Sequence, residues 1–253
     1  MTFPSKDRTN LEVVTPSLEE PIRQAPILLL SAAQVPPELV MVSESGSDAA
    51  EQYRLLAHAL EKDHGGQTGR TIAVSSAVAG EGKTLTALNL AYALSETKTR
   101  QILLCDVDFC GGSITRTLGL GDPPGITDLF QESKPLNEIL RRLDNNLMLL
   151  PAGTPLTHPL GLLRSAIWHQ LMDSLRAHFH FIIMDCPPIL GNEQMSVIDD
   201  VIDRVLLVVR AGYSRQETLK DALACVTPEK LAGFALNDVT DRGRVYRSYK
   251  RET

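Results

Sequence analysis

Ser76-Ala77-Val78-Ala79-Gly80-Glu81-Gly82-Lys83-Thr84 is the segment of this sequence best equipped for chemistry. Its glycines let the backbone come close to an anion, and amides at a helix start point toward it. A lysine at this spacing reaches terminal phosphates, and the following threonine hydroxyl holds Mg2+. The strict phosphate-loop pattern begins with Gly where this chain has Ala77. The Gly-x-Gly-Lys-Thr end is intact, so Gly80, Glu81, Gly82, Lys83, Thr84 and Leu85 are the candidates for nucleotide contact. A dinucleotide fingerprint is excluded, because Lys83-Thr84-Leu85 follows Gly82 with no third glycine.

A Mg-nucleotide site also needs carboxylates, and in parallel sheets ligands sit beyond the C-terminal strand ends. Two apolar runs end in them: Ile102-Leu-Leu-Cys-Asp106-Val-Asp108 and Phe179-His-Phe-Ile-Ile-Met-Asp185. Asp after a strand is commonly a turn or cap residue. Here both runs must share a sheet with the phosphate-loop strand, so direct or water-mediated metal contact is the better reading. Cys186-Pro187-Pro188 stops the second run, which makes Cys186 a packing residue and not a nucleophile.

These groups need a scaffold, and the chain supplies an alternating one. The spacing predicts strands at Thr71 to Ser76, Ile102 to Cys105, Asn146 to Leu150, Phe179 to Met184, Val205 to Val209 and Leu231 to Leu236. Helices are predicted from Ser47 or Asp48 up to His64-Gly65-Gly66, and over Thr84 to Ser95, Ala166 to Arg176 and Gln216 to Cys225. Continuous apolar strands between helices imply an α/β fold, a mostly parallel sheet covered on both faces. The expected organisation is a Pro-, Ser- and Glu-rich tail or linker over 1–45, one domain over 46–240, and a basic tail over 241–253.

The 253 residues carry 25 basic and 31 acidic side chains, a net charge of −6, which argues against sequence-blind DNA binding. The charge is uneven: residues 241–253 have a net of +3, leaving −9 on the rest. Cys105, Cys110, Cys186 and Cys225 lack paired spacing, consistent with a reducing cytoplasm and with neither a disulfide scaffold nor a zinc site. The apolar stretch Ala25 to Ala33 is well short of the ~20 residues of a membrane span and reads as a linker docking on the domain. Action at a membrane would then need another protein to bring the chain there.

Taken in order, several motifs resemble the bacterial tyrosine kinases (BY-kinases) of capsule and exopolysaccharide loci. They are Pro36-Pro-Glu-Leu-Val40, Glu51-x-x-Arg54, Gly80-x-Gly-Lys-Thr84, Asp106-x-Asp108, Asp185-x-Pro-Pro188 and Gly233-x-x-Leu-Asn237. Pro151-Ala-Gly153, followed by His158-Pro159 and Leu162-Leu163, is also similar to the family's pattern. The resemblance covers about residues 36–240 and implies a P-loop ATPase domain that moves the γ-phosphoryl of ATP to tyrosines in a C-terminal tail. By analogy Lys83 stabilises charge on the transferred group and Thr84, Asp108 and Asp185 serve Mg2+. Asp106 is then the candidate acceptor of the tyrosine proton, the roles of Asp106 and Asp108 being interchangeable at this level. Asn237 either contacts adenine or caps a turn. The resemblance further implies self-association and a membrane-anchored polysaccharide co-polymerase as activator, placing the protein in the cytoplasm, peripheral to the inner membrane.

The family that shares the fold but not the reaction is the partition or positioning ATPase of the ParA/MinD kind. Its loop carries a second lysine where this chain has Val78, a side chain unable to reach a partner's phosphate. Three positions depart from the kinase pattern. Cys110 stands where the family often has Arg, and Ala57 replaces the last Arg of a Glu-x-x-Arg-x-x-Arg motif used in ring assembly. The tail holds only Tyr246 and Tyr249, although two of the chain's five tyrosines in its last eight residues is still an enrichment. Those two are the candidate phosphoacceptors. The departures keep open a nucleotide-dependent ATPase switch on the export machinery that transfers nothing to tyrosine.

Overall fold

A computed structural model describes residues 18–31, 33–64 and 69–239. The strands are β1 (Arg70–Ser76), β2 (Ile102–Asp106), β3 (Arg141–Asp144), β4 (Leu147–Leu150), β5 (Phe181–Asp185), β6 (Arg204–Arg210) and β7 (Leu231–Asn237). They form one sheet in the order β3-β4-β2-β5-β1-β6-β7, and every pair is parallel except β3 with β4. β3 and its antiparallel pairing escaped the sequence reading because Arg141-Arg-Leu-Asp144 has no apolar run. It needs none, since it is a half-exposed edge strand.

The central strands bury both faces, so successive residues feed two different cores. Ile72, Val74, Leu104, Ile183, Leu206 and Val208 face one side, while Ala73, Leu103, Cys105, Ile182, Met184 and Leu207 face the other. That two-sided burial is why these strands read as unbroken apolar runs. Helices α1 (Glu19–Gln24), α2 (Val40–Ser43), α3 (Asp48–His64), α4 (Lys83–Ser95) and α5 (Ser113–Thr117) come before β3, with α6 (Ile126–Glu132) and α7 (Leu136–Ile139). Helices α8 (Leu160–Leu163), α9 (Ala166–His178), α10 (Gln194–Ile198) and α11 (Gln216–Ala224) follow β4. α3 and α4 cover one face of the sheet, and α9 packs its Trp168, Leu171, Met172 and Leu175 on the other.

α4 departs from the single apolar stripe expected of it, because α2 and α3 pack over its outer side and leave nine of its residues buried. Buried Asn89 explains how. Its Nδ2 donates to the carbonyls of Glu38 and Leu85, both at 2.9 Å, and its Oδ1 accepts from Met41 N at 3.0 Å. That one amide ties the Pro36–Val40 motif to the helix that follows the phosphate loop. Residues 18–45 accordingly differ from the tail or linker expected there: Leu18, Leu39 and Met41 are core residues. Pro26–Leu28 pairs with the β3 edge, Leu28 N donating to Arg142 O at 2.8 Å and Arg142 N to Pro26 O at 2.9 Å. Here the docking of the apolar segment agrees with expectation, and it covers backbone groups an edge strand would otherwise expose. No helix among the described residues is long and apolar enough to cross a membrane.

Candidate active site

The loop between β1 and α4 sits at the C-terminal sheet edge, and α4 starts at Lys83. The first helical bond runs from Thr86 N to Gly82 O, so the amides of Lys83, Thr84 and Leu85 have no acceptor within the helix. Together with the positive end of a 13-residue helix they make an anion-binding corner. Gly82, the residue before the helix, has φ of 94°, and a Cβ there would lie 2.0 Å from Asn237 Nδ2. Gly82→Ala therefore meets both backbone strain and a clash. We expect a loss of roughly 1–3 kcal/mol in stability, read as a lower melting temperature, and at least a tenfold weaker fluorescent-ATP titration. Asn237→Ala in the same chain should relieve the clash and recover part of that loss.

An acidic residue inside an anion-binding loop needs an explanation, and the geometry supplies one. Glu81 is fully buried and turned away from the open face of the loop. Its carboxylate accepts Val78 N at 2.9 Å and the Ser214 hydroxyl through a short hydrogen bond. Its backbone carbonyl accepts Asn237 Nδ2 at 3.0 Å. Nearby, Arg210 donates to Gly80 O at 3.3 Å, Tyr213 Oη donates to Ala79 O at 3.4 Å, and Arg210 pairs with Asp238 at 2.9 Å. Four side chains from the ends of β6 and β7, Arg210, Tyr213, Ser214 and Asn237, thus clasp the phosphate loop, and Asp238 pairs with the first of them. The sequence reading had found only Asn237 among them. The signal for the others was positional, since β6 and β7 pair as far as Arg210 with Asn237 and so end together beside the loop.

The carboxylates arrive where the strand ends place them. Asp106 and Asp185 are register partners on adjacent strands, and both are completely buried. Asp106 accepts from Ile114 N at 2.8 Å and Asp108 N at 3.1 Å. Burial pushes its pKa up to about 7 against those hydrogen bonds, the charge of Asp108 pushing it up and that of Arg116 pulling it down. Asp185 is raised well above the usual carboxylate range, first by burial and then by the Asp106 charge. Thr84 and Lys83 pull it partway back, yet neither oxygen of Asp185 has a hydrogen-bond partner of good geometry. Asp108 is half-buried and accepts the Ser113 hydroxyl at 2.9 Å. Leu156 N donates to Phe109 O at 2.8 Å, tying the loop after β4 to this turn.

Two buried carboxylates side by side, one with no hydrogen bond of good geometry, are a poor arrangement for the protein alone and a good one for a cation. The hard oxygen set and the adjacent Thr84 suit Mg2+. Cys186 is fully buried and its thiol is pushed well up by that burial, in keeping with a packing role. Tyr246 and Tyr249 lie outside the described residues.

A protein-family profile described as an AAA domain (AAA_31) matches residues 69–228, more than half of the chain. The chain belongs to this family. Relatives similar to the chain are named tyrosine kinases, in agreement with the ordered motifs. Tyrosine-protein kinase YwqD of Bacillus subtilis is 27% identical over 203 residues, 79% of this chain and 85% of the relative. Tyrosine-protein kinase CpsD of Streptococcus agalactiae is 26% identical over 188 residues, 73% of this chain and 82% of the relative. Among solved structures, the kinase domain of Escherichia coli tyrosine kinase ETK superposes with a TM-score of 0.71 at 19% identity, covering 90% and 94% of the two chains. A plasmid partition protein from Borrelia burgdorferi reaches only 0.50 at 24% identity, covering 67% and 78%. This AAA domain is thus a P-loop NTPase of the BY-kinase kind, built to bind a nucleotide.

Proposed function

We propose that this protein is an ATP- and Mg2+-dependent tyrosine autokinase that regulates polymerisation or export of an exopolysaccharide. The observation that carries the proposal is the convergence of Lys83, Thr84, Asp106, Asp108 and Asp185 on one sheet edge, in a chain whose relatives are named tyrosine kinases. Phosphoryl transfer is mostly positioning and charge neutralisation, which suits a preorganised loop of this kind. The amides of Gly82 to Leu85 and the Lys83 ammonium hold the terminal phosphates. Thr84 and Asp185, with Asp106 beside them, hold Mg2+, whose chemistry is to neutralise developing phosphate charge.

Of the two assignments that sequence left open for the Asp-x-Asp pair, we adopt the one in which Asp106 serves the metal and Asp108 the tyrosine, and burial supports it. Asp106 is sealed against Asp185 and has both oxygens engaged by backbone amides, so it belongs to the metal side. Asp108 is half-buried and accessible, so it is placed to accept the proton of an incoming tyrosine. The tyrosine oxygen forms a bond to the γ-phosphorus, the bond to the β–γ bridging oxygen breaks, ADP leaves, and the proton passes to Asp108. Adenine would sit beside Asn237, Tyr213 and Arg210. A membrane-anchored polysaccharide co-polymerase, through its cytoplasmic segment, is the activator we propose.

The test is labelled ATP with Mg2+ and purified protein, with and without that segment. Phosphotyrosine should appear and increase with the segment, and none in either case overturns the proposal. Replacing both Tyr246 and Tyr249 by Phe should remove about nine-tenths of the label, detected by anti-phosphotyrosine blot and by mass spectrometry. Undiminished label would show that the acceptors lie elsewhere.

A further inference from the structure

The end of β7 delivers the rest of the chain to the site just described. β7 runs parallel to β6, β1, β5 and β2, so its C-terminus at Asn237 lies on the same sheet edge as the phosphate loop and the carboxylates. The anchorage there is to the loop itself. Asn237 Nδ2 donates to Glu81 O at 3.0 Å, and Ala211 N donates to Asn237 O at 2.9 Å. Arg210 holds Asp238 through Nε at 3.0 Å while its Nη1 donates to Gly80 O at 3.3 Å. Asp238 has φ of 55°, in the left-handed region, which ends the extended run and turns the chain there.

Sheet order fixes how far an acceptor must travel from that root. Passing from β7 through β6, β1 and β5 to β2 crosses four strand spacings, about 19 Å at ~4.8 Å each. The phosphate loop follows β1, two spacings away, and Asp108 follows β2. Tyr246 is eight residues beyond Asp238 and Tyr249 eleven, spans of at most ~26 and ~36 Å. Both exceed the distance across to Asp108 and leave slack for a curved path. Charge favours the same route. Residues 241–253 carry a net +3, and the edge from which they start holds Asp106, Asp108 and Asp185 and receives the nucleotide phosphates.

We infer that Tyr246 and Tyr249 are phosphorylated in cis, by the site of the chain that carries them. The attacking oxygen is then that of the same chain's tyrosine. It bonds to the γ-phosphorus, the bond to the β–γ bridging oxygen breaks, ADP leaves with that oxygen, and the proton passes to Asp108. A short tether able to span the gap holds its acceptor at an effective concentration of about millimolar. That exceeds the concentration of any second chain at ordinary protein levels. The state of the tail is thus set chain by chain, whether or not copies associate.

This rests on the kinase reading, and the experiment separates the two. Wild-type chain is co-expressed with a tagged Lys83→Met chain, so that any assembly contains both. The purified, dephosphorylated mixture is incubated with labelled ATP, Mg2+ and the proposed activator segment in constant excess. Label on Tyr246 and Tyr249 of the wild type, with at least about tenfold less on the tagged chain, is the expected result. Asp185→Asn serves as a second inactive acceptor, and melting curves check that both are folded. Diluting the wild type alone about a hundredfold should leave the initial labelling rate per chain unchanged. Comparable label on the two chains overturns the inference and leaves the kinase reading standing, as does a rate per chain that falls with dilution. No label on either chain overturns the kinase reading, and the inference with it.

Discussion

Lys83→Met should lower phosphotyrosine formation by about 10²–10³-fold, the cost typical of removing one preorganised electrostatic group from a transition state. Methionine keeps the length and apolar stem of the lysine, so the first turn of α4 and its packing survive. What disappears is the ammonium to which we have assigned stabilisation of charge on the transferred group. ATP affinity should fall less, by about tenfold, because the amides at the helix start and the clasp from β6 and β7 remain. Quantitative labelling beside a fluorescent-ATP titration checks both numbers. Equal labelling of the variant and the wild type would mean that the phosphate comes from a contaminating kinase.

Asp185→Asn should move stability and activity in opposite directions. In the absence of metal and nucleotide, ionised Asp185 lies fully buried beside Asp106 with both oxygens unpartnered. Its folded pKa is raised above the unfolded value of about 4, so folding favours the protonated form. The sign follows directly: the wild type is relatively most stable below the unfolded value and loses stability as pH rises toward the raised folded value. Asparagine cannot ionise, so its advantage should grow over that same window. Removing the charge while keeping a neutral polar group should recover a cost on the order of 1–3 kcal/mol, which at about 2–4 °C per kcal/mol for a domain of this size predicts a melting temperature higher by roughly 2–12 °C at pH 8. Mg-ATP should reverse the order, because only the carboxylate gains from the cation. Phosphotransfer should fall at least about 100-fold. A lower melting temperature for the variant at pH 8 without ligand would show that Asp185 is held by something other than a bound cation.

Such a trade between apo stability and activity is common where a site is assembled for an absent charge. It also orders the roles in the site. The clasp of Arg210, Tyr213, Ser214 and Asn237 already holds the loop, whereas Asp185 is left without a hydrogen bond of good geometry. Arg54 illustrates a different use of charge. On α3 it pairs with Glu96 through Nε and Nη2, both at 2.8 Å, and donates to Ser45 O at 2.9 Å. Ala57, one turn further on, is buried. The arginine in the position associated with ring assembly is thus engaged within its own chain.

The phosphate loop was legible in sequence because its requirements are local. Gly82, Lys83 and Thr84 must be consecutive, must follow a strand and must open a helix, and the chain cannot satisfy that by accident of folding. The strand ends at Asp106 and Asp185 were legible for a similar reason, since an apolar run stopped by a carboxylate marks where a buried strand emerges. The edge strand Arg141–Asp144 was not, because half-exposed strands carry no distinctive pattern. Nor was the ordering of residues 18–45, which depends on Asn89 and the β3 edge, far away in the chain.

By itself, then, the sequence determined a phosphate-loop pattern in which Lys83 and Thr84 follow a strand and open a helix, and a net charge of −9 on residues 1–240 against +3 on 241–253. These are properties of residue type and spacing, which no rearrangement of distant segments alters. Tertiary structure alone decided which aspartate is sealed and which is open, and why Glu81 belongs in an anion site. Each of those depends on desolvation or on contact between residues remote in sequence, and neither exists until the strands have been brought into register.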